Sequence, residues 1–180
     1  MTAMTHEVSH VERYDFTSKD ELFLDTNIWL FIYGPQDPTS TKMYTYSSAF
    51  HHILKAQSRI YIDVLVISEF INVYARQQQQ LVAPDTQFKE FRNSQDFKPI
   101  AQEIADNAKR MLNHCSRIES RFEALDVDGL MNEYAEGGAD FNDQVIRELC
   151  NSRGLKLVTD DGDFDGQGIS IITANRRLLG

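Results

Sequence analysis

Residues 155–164 read LKLVTDDGDF, a short apolar run that passes directly into a cluster of acids. The run at residues 155–158 is too short for a helix and is typical of a strand buried in a sheet. In an open sheet of parallel strands, ligands bind outside the carboxyl ends of the strands. Asp160, Asp161 and Asp163 therefore occupy a place where a functional site is expected.

Other acids occur at comparable places in the chain. Asp25 directly follows a second apolar run, residues 21–24, which we also predict to be a strand. Glu69 lies within an otherwise apolar helix, and Asp140 and Asp143 open the helix that precedes the acidic strand. Asp140 could share a site with the others or only cap its helix. The placement of these acids predicts one convergent acidic cluster.

Strand and helix patterns alternate along the sequence, which predicts an α/β fold with a central parallel sheet flanked by helices. Short apolar runs predict the strands, and apolar residues spaced three and four apart predict the helices. The predicted strands are residues 21–24, 60–62, 155–158 and 169–172. The main predicted helices are residues 41–57, 63–80, 99–118, 130–134 and 140–154.

The domain organisation follows from changes in this pattern. Residues 1–20 are polar and show no sustained periodicity, so we predict a flexible N-terminal arm there. Residues 21–180 are predicted to form a single domain. Within it, residues 81–120 carry a long helix with one apolar stripe and are interpreted as an extra helical segment.

The composition is that of an ordinary globular chain of 180 residues, with 42% hydrophobic and 25% charged residues. The longest apolar stretch is far too short for a membrane helix and no leader pattern is present, so we expect a cytoplasmic protein without a membrane partner. The two cysteines show no zinc or disulfide spacing. The net charge of −9 opposes binding to nucleic acid, unless bound divalent cations reverse the local field.

Acids that converge in a partly buried site repel one another, and a bound cation relieves that repulsion. The candidate ligands are all oxygens, which favours a hard ion such as Mg²⁺ or Mn²⁺ over zinc. Such an ion lowers the pKa of a bound water and stabilises the leaving oxygen of a phosphodiester. Hydrolysis of a nucleic-acid backbone fits this acidic pattern.

The ordered set of motifs resembles the PIN-domain nucleases, a family that includes the ribonuclease toxins of toxin–antitoxin pairs. Phe23-Leu24-Asp25-Thr26-Asn27 is similar to the opening strand motif of that family, and Ser68-Glu69 is similar to its second acidic position. Asp143 together with residues 155–164 is similar to the closing signature, which is the most specific of the three.

This resemblance implies a PIN-like three-layer fold and a metal-dependent endoribonuclease that leaves 5′-phosphate and 3′-hydroxyl ends. The implied catalytic metal ligands are Asp25, Glu69, Asp143 and Asp161. Asp163 and Asp140 would position water or a second ion. The implied cofactor is Mg²⁺ or Mn²⁺ and the implied substrate is RNA. The implied partners are an antitoxin protein and a second copy of the chain in a homodimer.

One alternative from another class stays open, namely a PIN-like module that binds RNA or protein without cleaving it. Two other enzyme classes are disfavoured. A haloacid-dehalogenase-like phosphatase needs a second Asp at the position of Asn27. A receiver domain needs a Lys after its last strand, and no Lys follows Lys156.

Overall fold

The computed structural model describes residues 6–137 and 139–180, which form a six-stranded parallel sheet packed with eight helices. The strands are β1 (Val8–His10), β2 (Glu21–Leu24), β3 (Arg59–Ile62), β4 (Cys115–Arg117), β5 (Lys156–Val158) and β6 (Ile171–Thr173). The helices are α1 (Thr26–Tyr33), α2 (Thr41–Ala56), α3 (Val64–Val82), α4 (Phe88–Arg92), α5 (Phe97–Asn113), α6 (Val127–Ala135), α7 (Phe141–Arg153) and α8 (Arg176–Leu179). The α/β fold predicted from the sequence is confirmed. Within the described residues, no helix combines the length and the apolar character that a membrane crossing requires.

The strand order β1-β6-β5-β2-β3-β4 places β2 and β5 side by side in the middle of the sheet. The three apolar residues of β2 are fully buried, which suits a continuous apolar run because helices cover both faces of such a strand. Leu24 of β2 lies opposite Val158 of β5 in the register. Asp25 and Thr159, the next residues of the two strands, therefore leave the sheet side by side at its carboxyl edge.

The N-terminal segment belongs to the sheet, so the flexible arm predicted for residues 1–20 is wrong where the structure describes it. β1 pairs in parallel with β6, and Val11 and Phe16 are buried in the main core. The prediction fails because a strand of three residues has too few side chains to show a period and is defined by its partner β6. Residues 1–5 of the predicted arm lie outside the described residues.

A further difference concerns the extra segment at residues 81–120. The helix predicted at residues 99–118 ends at Asn113, and the chain then forms the edge strand β4 beside β3. Cys115 continues the apolar spacing of α5, so periodicity alone extends the helix too far. The segment thus adds two helices, α4 and α5, and one strand that the pattern does not reveal.

A buried carboxylate ties the amino ends of β2 and β5 together. Asp20, directly before β2, accepts hydrogen bonds from Lys156 Nζ at 2.6 Å and from Tyr14 Oη at 2.8 Å. The Thr17 amide donates to its other oxygen at 2.7 Å. Burial opposes ionisation of this carboxyl, but these donors outweigh it and hold the pKa of Asp20 below its usual value. The ionised side chain therefore stabilises the fold.

We expect Asp20→Asn to lower the free energy of unfolding at neutral pH by about 1.5 kcal/mol. This is the lower end of the range for hydrogen bonds to charged groups, and we choose it because Lys156 is partly exposed. Since the folded-state pKa of Asp20 is lowered, its contribution is present above the unfolded value of about 3.9 and is lost as pH falls through the folded value. Urea unfolding at neutral and at acid pH measures the effect. The exposed neighbour Asp15→Asn is the control, and an equal loss at both pH values would contradict the prediction.

Candidate metal centre

Asp25 is the most buried of the candidate metal ligands. It lies at the carboxyl end of β2 and is the N-cap of α1, a position that Asp favours because its side chain satisfies a free backbone amide. The carboxylate accepts hydrogen bonds from the Thr26 amide at 2.7 Å, from Asn27 Nδ2 at 2.6 Å and from Thr159 Oγ1 at 2.7 Å. Both of its oxygens are therefore engaged by donors from the ends of β2 and β5.

Glu69 reaches the same edge of the sheet from α3. Its Oε2 accepts a hydrogen bond from Thr26 Oγ1 at 3.1 Å, which connects Glu69 to the residue that follows Asp25. α3 begins after its N-cap Asp63, whose side chain accepts from the Leu65 amide at 2.9 Å. Glu69 is half-buried and directed towards Thr26. Glu69 therefore does not lie on a solvated helix face, where a glutamate of a helix is usually found.

Helix α7 brings two further acids to this edge. Asp140 is the N-cap of α7, and its side chain accepts from the Asn142 amide at 2.8 Å, so it performs the capping role that the sequence allows. It is exposed, whereas Asp143, in the first turn of the same helix, is half-buried.

The loop after β5 directs two adjacent acids to different places. The Asp161 amide donates to Thr159 Oγ1 at 3.0 Å, and the Asp161 side chain accepts from the Asp163 amide at 2.9 Å. Asp160 is instead buried in an ion pair with Lys42 of α2. Asp160 therefore anchors α2 to the end of the sheet, while Asp161 and Asp163 border an open cleft.

These segments border an open cleft of about 580 Å³. Its lining residues are Leu65, Ser68, Glu69, Asn72, Asp140, Asn142, Asp143, Asp161 and Asp163. Five of the six acids that the family resemblance implies for the metal centre thus line one surface. Asp25, the sixth, is only 6% exposed and lies beneath that surface, near enough for its charge to act on Asp143.

Burial and mutual repulsion disfavour the ionised forms of two of these acids. Burial raises the pKa of Asp25 to about 6 in spite of its hydrogen bonds, and the charges of Glu69 and Asp161 add to the shift. Burial, and then repulsion from Asp25 and from Asp161, raises the pKa of Asp143 to about 7. A bound cation would neutralise this charge and lower both pKa values.

The donor set fits a hard divalent cation in type and charge, because every candidate ligand is a carboxylate oxygen. Within the part of the chain that the structure describes, no three Asp, Glu, His or Cys side chains already converge as a ready-made metal site. Both Asp25 oxygens accept hydrogen bonds from protein donors. The assignment of Asp25, Glu69, Asp143 and Asp161 as ligands stays a prediction.

Sequence reasoning assigns no role to Thr159 or Asn27, yet these two residues connect the acids. Thr159 is fully buried and hydrogen-bonded to Asp25 and to the Asp161 amide. Asn27 donates to Asp25 and to Thr159, and its Oδ1 accepts from the Asp160 amide at 3.2 Å. A hydroxyl residue placed between a buried strand and a row of acids is the signal that could have identified Thr159.

Solved structures of other proteins share this architecture. The chain is similar to VapBC2 from Rickettsia felis bound to a DNA fragment from the VapBC2 promoter, with a TM-score of 0.56 and 15% identity over 85% of this chain and 98% of that chain. It is also similar to PAE2754 from Pyrobaculum aerophilum, with a TM-score of 0.52 and 17% identity over 89% of this chain and 93% of that chain. At these identities the likeness concerns the fold alone. A comparison with curated proteins finds no match.

The sequence model of the PIN domain family matches residues 22–170, a span that includes Asp25 and the acidic loop after β5. PIN domains are nucleases as a family, so this match supports hydrolytic chemistry. The resemblance inferred from the motifs is confirmed. With its fold, its cleft and this match taken together, the chain belongs to the PIN domain family.

Proposed function

We propose that this protein is a metal-dependent endoribonuclease whose catalytic ligands are Asp25, Glu69, Asp143 and Asp161. One observation carries the proposal: acids from three separate segments of the chain line one open cleft next to the buried Asp25, and burial and repulsion raise the pKa of Asp25 and of Asp143. Structural carboxylates are normally paired with donors or cations, and this excess of negative charge is what a divalent ion would balance.

Mg²⁺ or Mn²⁺ bound here would supply an activated water and stabilise the leaving oxygen during phosphodiester hydrolysis. The residues of the chain prepare the place for it. Thr26 holds Glu69 at the edge of the sheet, and Thr159 holds both Asp25 and the Asp161 amide. Asp163, which is exposed, and Asp140, which caps α7, lie at the border of the cleft, where they would position water or a second ion.

RNA is the proposed substrate because the motifs resemble the ribonuclease branch of the PIN family. The cleft is open to solvent and lined by polar side chains, which suits an extended phosphodiester backbone better than a small enclosed ligand. By the same resemblance, cleavage would leave 5′-phosphate and 3′-hydroxyl ends.

We also propose that the protein is the toxin of a toxin–antitoxin pair, acts in the cytoplasm and forms a homodimer. The structural likeness to VapBC2 from Rickettsia felis, determined with promoter DNA, supports an antitoxin partner. Co-purification of this chain with the product of a neighbouring small reading frame would test that partnership.

The activity is tested by incubating the protein with a panel of single-stranded and structured RNAs in Mg²⁺, Mn²⁺ or EDTA, with DNA strands of the same sequences as controls. We expect cleavage in either metal and none in EDTA. Binding of RNA and Mn²⁺ without any cleavage would favour the alternative, a PIN-like binding module. Absence of Mn²⁺ binding would contradict the metal centre itself.

A further inference from the structure

Arg177 of α8 lies beside the acidic loop that borders the cleft. Its Nη1 is 3.6 Å from Asp163 Oδ1, and both side chains are about two-thirds exposed, at 66% and 62%. Among the ion pairs of the described residues, this is the one that involves an acid lining the cleft. An ion pair so exposed contributes little to the stability of a fold, so stability does not account for the position of Arg177.

The stem of Arg177 also contacts the loop that carries Asp163. It lies against the backbone of Gly162, the residue between Asp161 and Asp163. A Cβ atom on Gly162 would lie 2.9 Å from Arg177 Cδ and 3.2 Å from Nη1, so glycine leaves the space that the arginine stem occupies. Gly162 is itself buried. The guanidinium group is therefore seated on the acidic loop.

The backbone around Arg177 is also fixed. Asn175 caps α8, because its side-chain Oδ1 accepts from the Arg177 backbone amide at 3.0 Å. The Nδ2 of the same side chain donates to the Asp160 carbonyl at 2.6 Å. Leu178, the next residue, is buried in the main core. These contacts join α8 to the loop that carries Asp161. The backbone of Arg177 is therefore held beside the cleft.

We propose that Arg177 is a substrate-binding residue that contacts a backbone phosphate of RNA at the mouth of the acidic cleft. This inference rests on the proposed nuclease function. A chain with a net charge of −9 and an acidic cleft repels a polyanion. A positively charged side chain at the entrance would reduce this repulsion. The planar guanidinium group carries five N–H donors and matches the geometry of a phosphate group. Its contact with the exposed carboxylate of Asp163 leaves other donors for the phosphate.

The test compares Arg177→Ala and Arg177→Lys with Arg176→Ala, which removes an exposed arginine from the preceding position of α8. Binding of a fluorescent single-stranded RNA is measured by anisotropy in the Asp143→Asn background with Mn²⁺, across a salt series. Cleavage kinetics are measured separately in the wild-type background. Thermal unfolding of each variant checks that the fold is retained.

We expect Arg177→Ala to raise the KM and the RNA dissociation constant by about tenfold, the loss typical of one charge-assisted contact, with kcat nearly unchanged. The slope of log Kd against log salt should fall by about 0.7, the value for one contact to a single strand. Arg177→Lys should restore part of the affinity, and Arg176→Ala should stay near wild type.

Unchanged binding and KM in Arg177→Ala would overturn this inference and leave the nuclease function intact. A fall in kcat alone would also overturn it, because Arg177 would then act on the acids and not on the substrate. If wild type cuts no RNA but Arg177→Ala still weakens salt-dependent binding, the phosphate contact is supported and the nuclease function fails.

Discussion

Asp143→Asn is expected to lower the rate of metal-dependent RNA cleavage by about a thousandfold or more, which corresponds to roughly 4 kcal/mol of lost transition-state stabilisation. Asparagine keeps the size of the side chain and removes the charge with which Asp143 would hold an ion at the cleft surface. Asp25→Asn should have a similar effect, because it removes the buried charge beneath that surface. Single-turnover cleavage of the RNA that wild type cuts fastest is the measurement.

The matched control is Asp165→Asn, an exposed acid just beyond the cleft-lining part of the same loop, which should cut at the wild-type rate. Thermal unfolding should show that Asp143→Asn is folded. Loss of an acid from the first turn of α7 costs only about 0.3–1 kcal/mol, and relief of repulsion with neighbouring acids offsets it. If Asp143→Asn keeps more than about a tenth of the wild-type rate, Asp143 is not a ligand of the catalytic ion.

Thr159→Val is expected to weaken the apparent affinity for Mn²⁺, read from the metal dependence of cleavage, by about 10–100-fold. Valine has nearly the shape of threonine but cannot hydrogen-bond. The fully buried hydroxyl of Thr159 donates to Asp25 at 2.7 Å and accepts from the Asp161 amide at 3.0 Å. Without it, two proposed ligands lose the group that fixes their relative positions.

Thr173→Val provides the control for this substitution. Thr173 is equally buried at the end of the neighbouring strand β6, where its Oγ1 accepts from the Asn175 amide at 2.9 Å and does not contact Asp25. The two variants should lose comparable stability, about 1–3 kcal/mol for a buried group left without its partner. Only Thr159→Val should need more Mn²⁺, and equal metal requirements would argue against the positioning role of Thr159.

The centre of the sheet could be predicted because its strands are buried on both faces. β2 and β5 are short and mostly apolar, with Glu21 and Lys156 as their polar residues, and such short runs indicate buried strands. The helices α2, α3 and α7 could be predicted because each has one apolar face with the period of a helix. In these elements, the apolar residues that form the local pattern are the residues that pack in the core.

The edges of the sheet could not be predicted, because their residues carry little pattern of their own. β1 and β4 have three residues each, and both form by adding backbone hydrogen bonds to a strand that is already present. Residues 28–33, in α1, are apolar on all sides, so their periodicity does not distinguish a helix from a strand. In these segments the tertiary context decides the structure.

The candidate site, like the sheet, could be predicted only in part. Acids at strand ends and in an apolar helix could be picked out from the sequence, because their positions are unusual for solvated charges. Whether Asp160 or Asp161 faces the cleft could not be decided from composition, since the two are adjacent and alike. The answer depends on Lys42, which lies 118 residues away in the chain and takes Asp160 as its partner.

The pairing of β2 with β5 has a consequence for synthesis of the protein on the ribosome. Asp25 and Thr159 are neighbours in the folded sheet but 134 residues apart in the chain. The strand that completes the middle of the sheet leaves the exit tunnel long after the first acid, and contacts of such high separation form late in folding. A growing chain therefore has no assembled acidic cleft until that strand has docked.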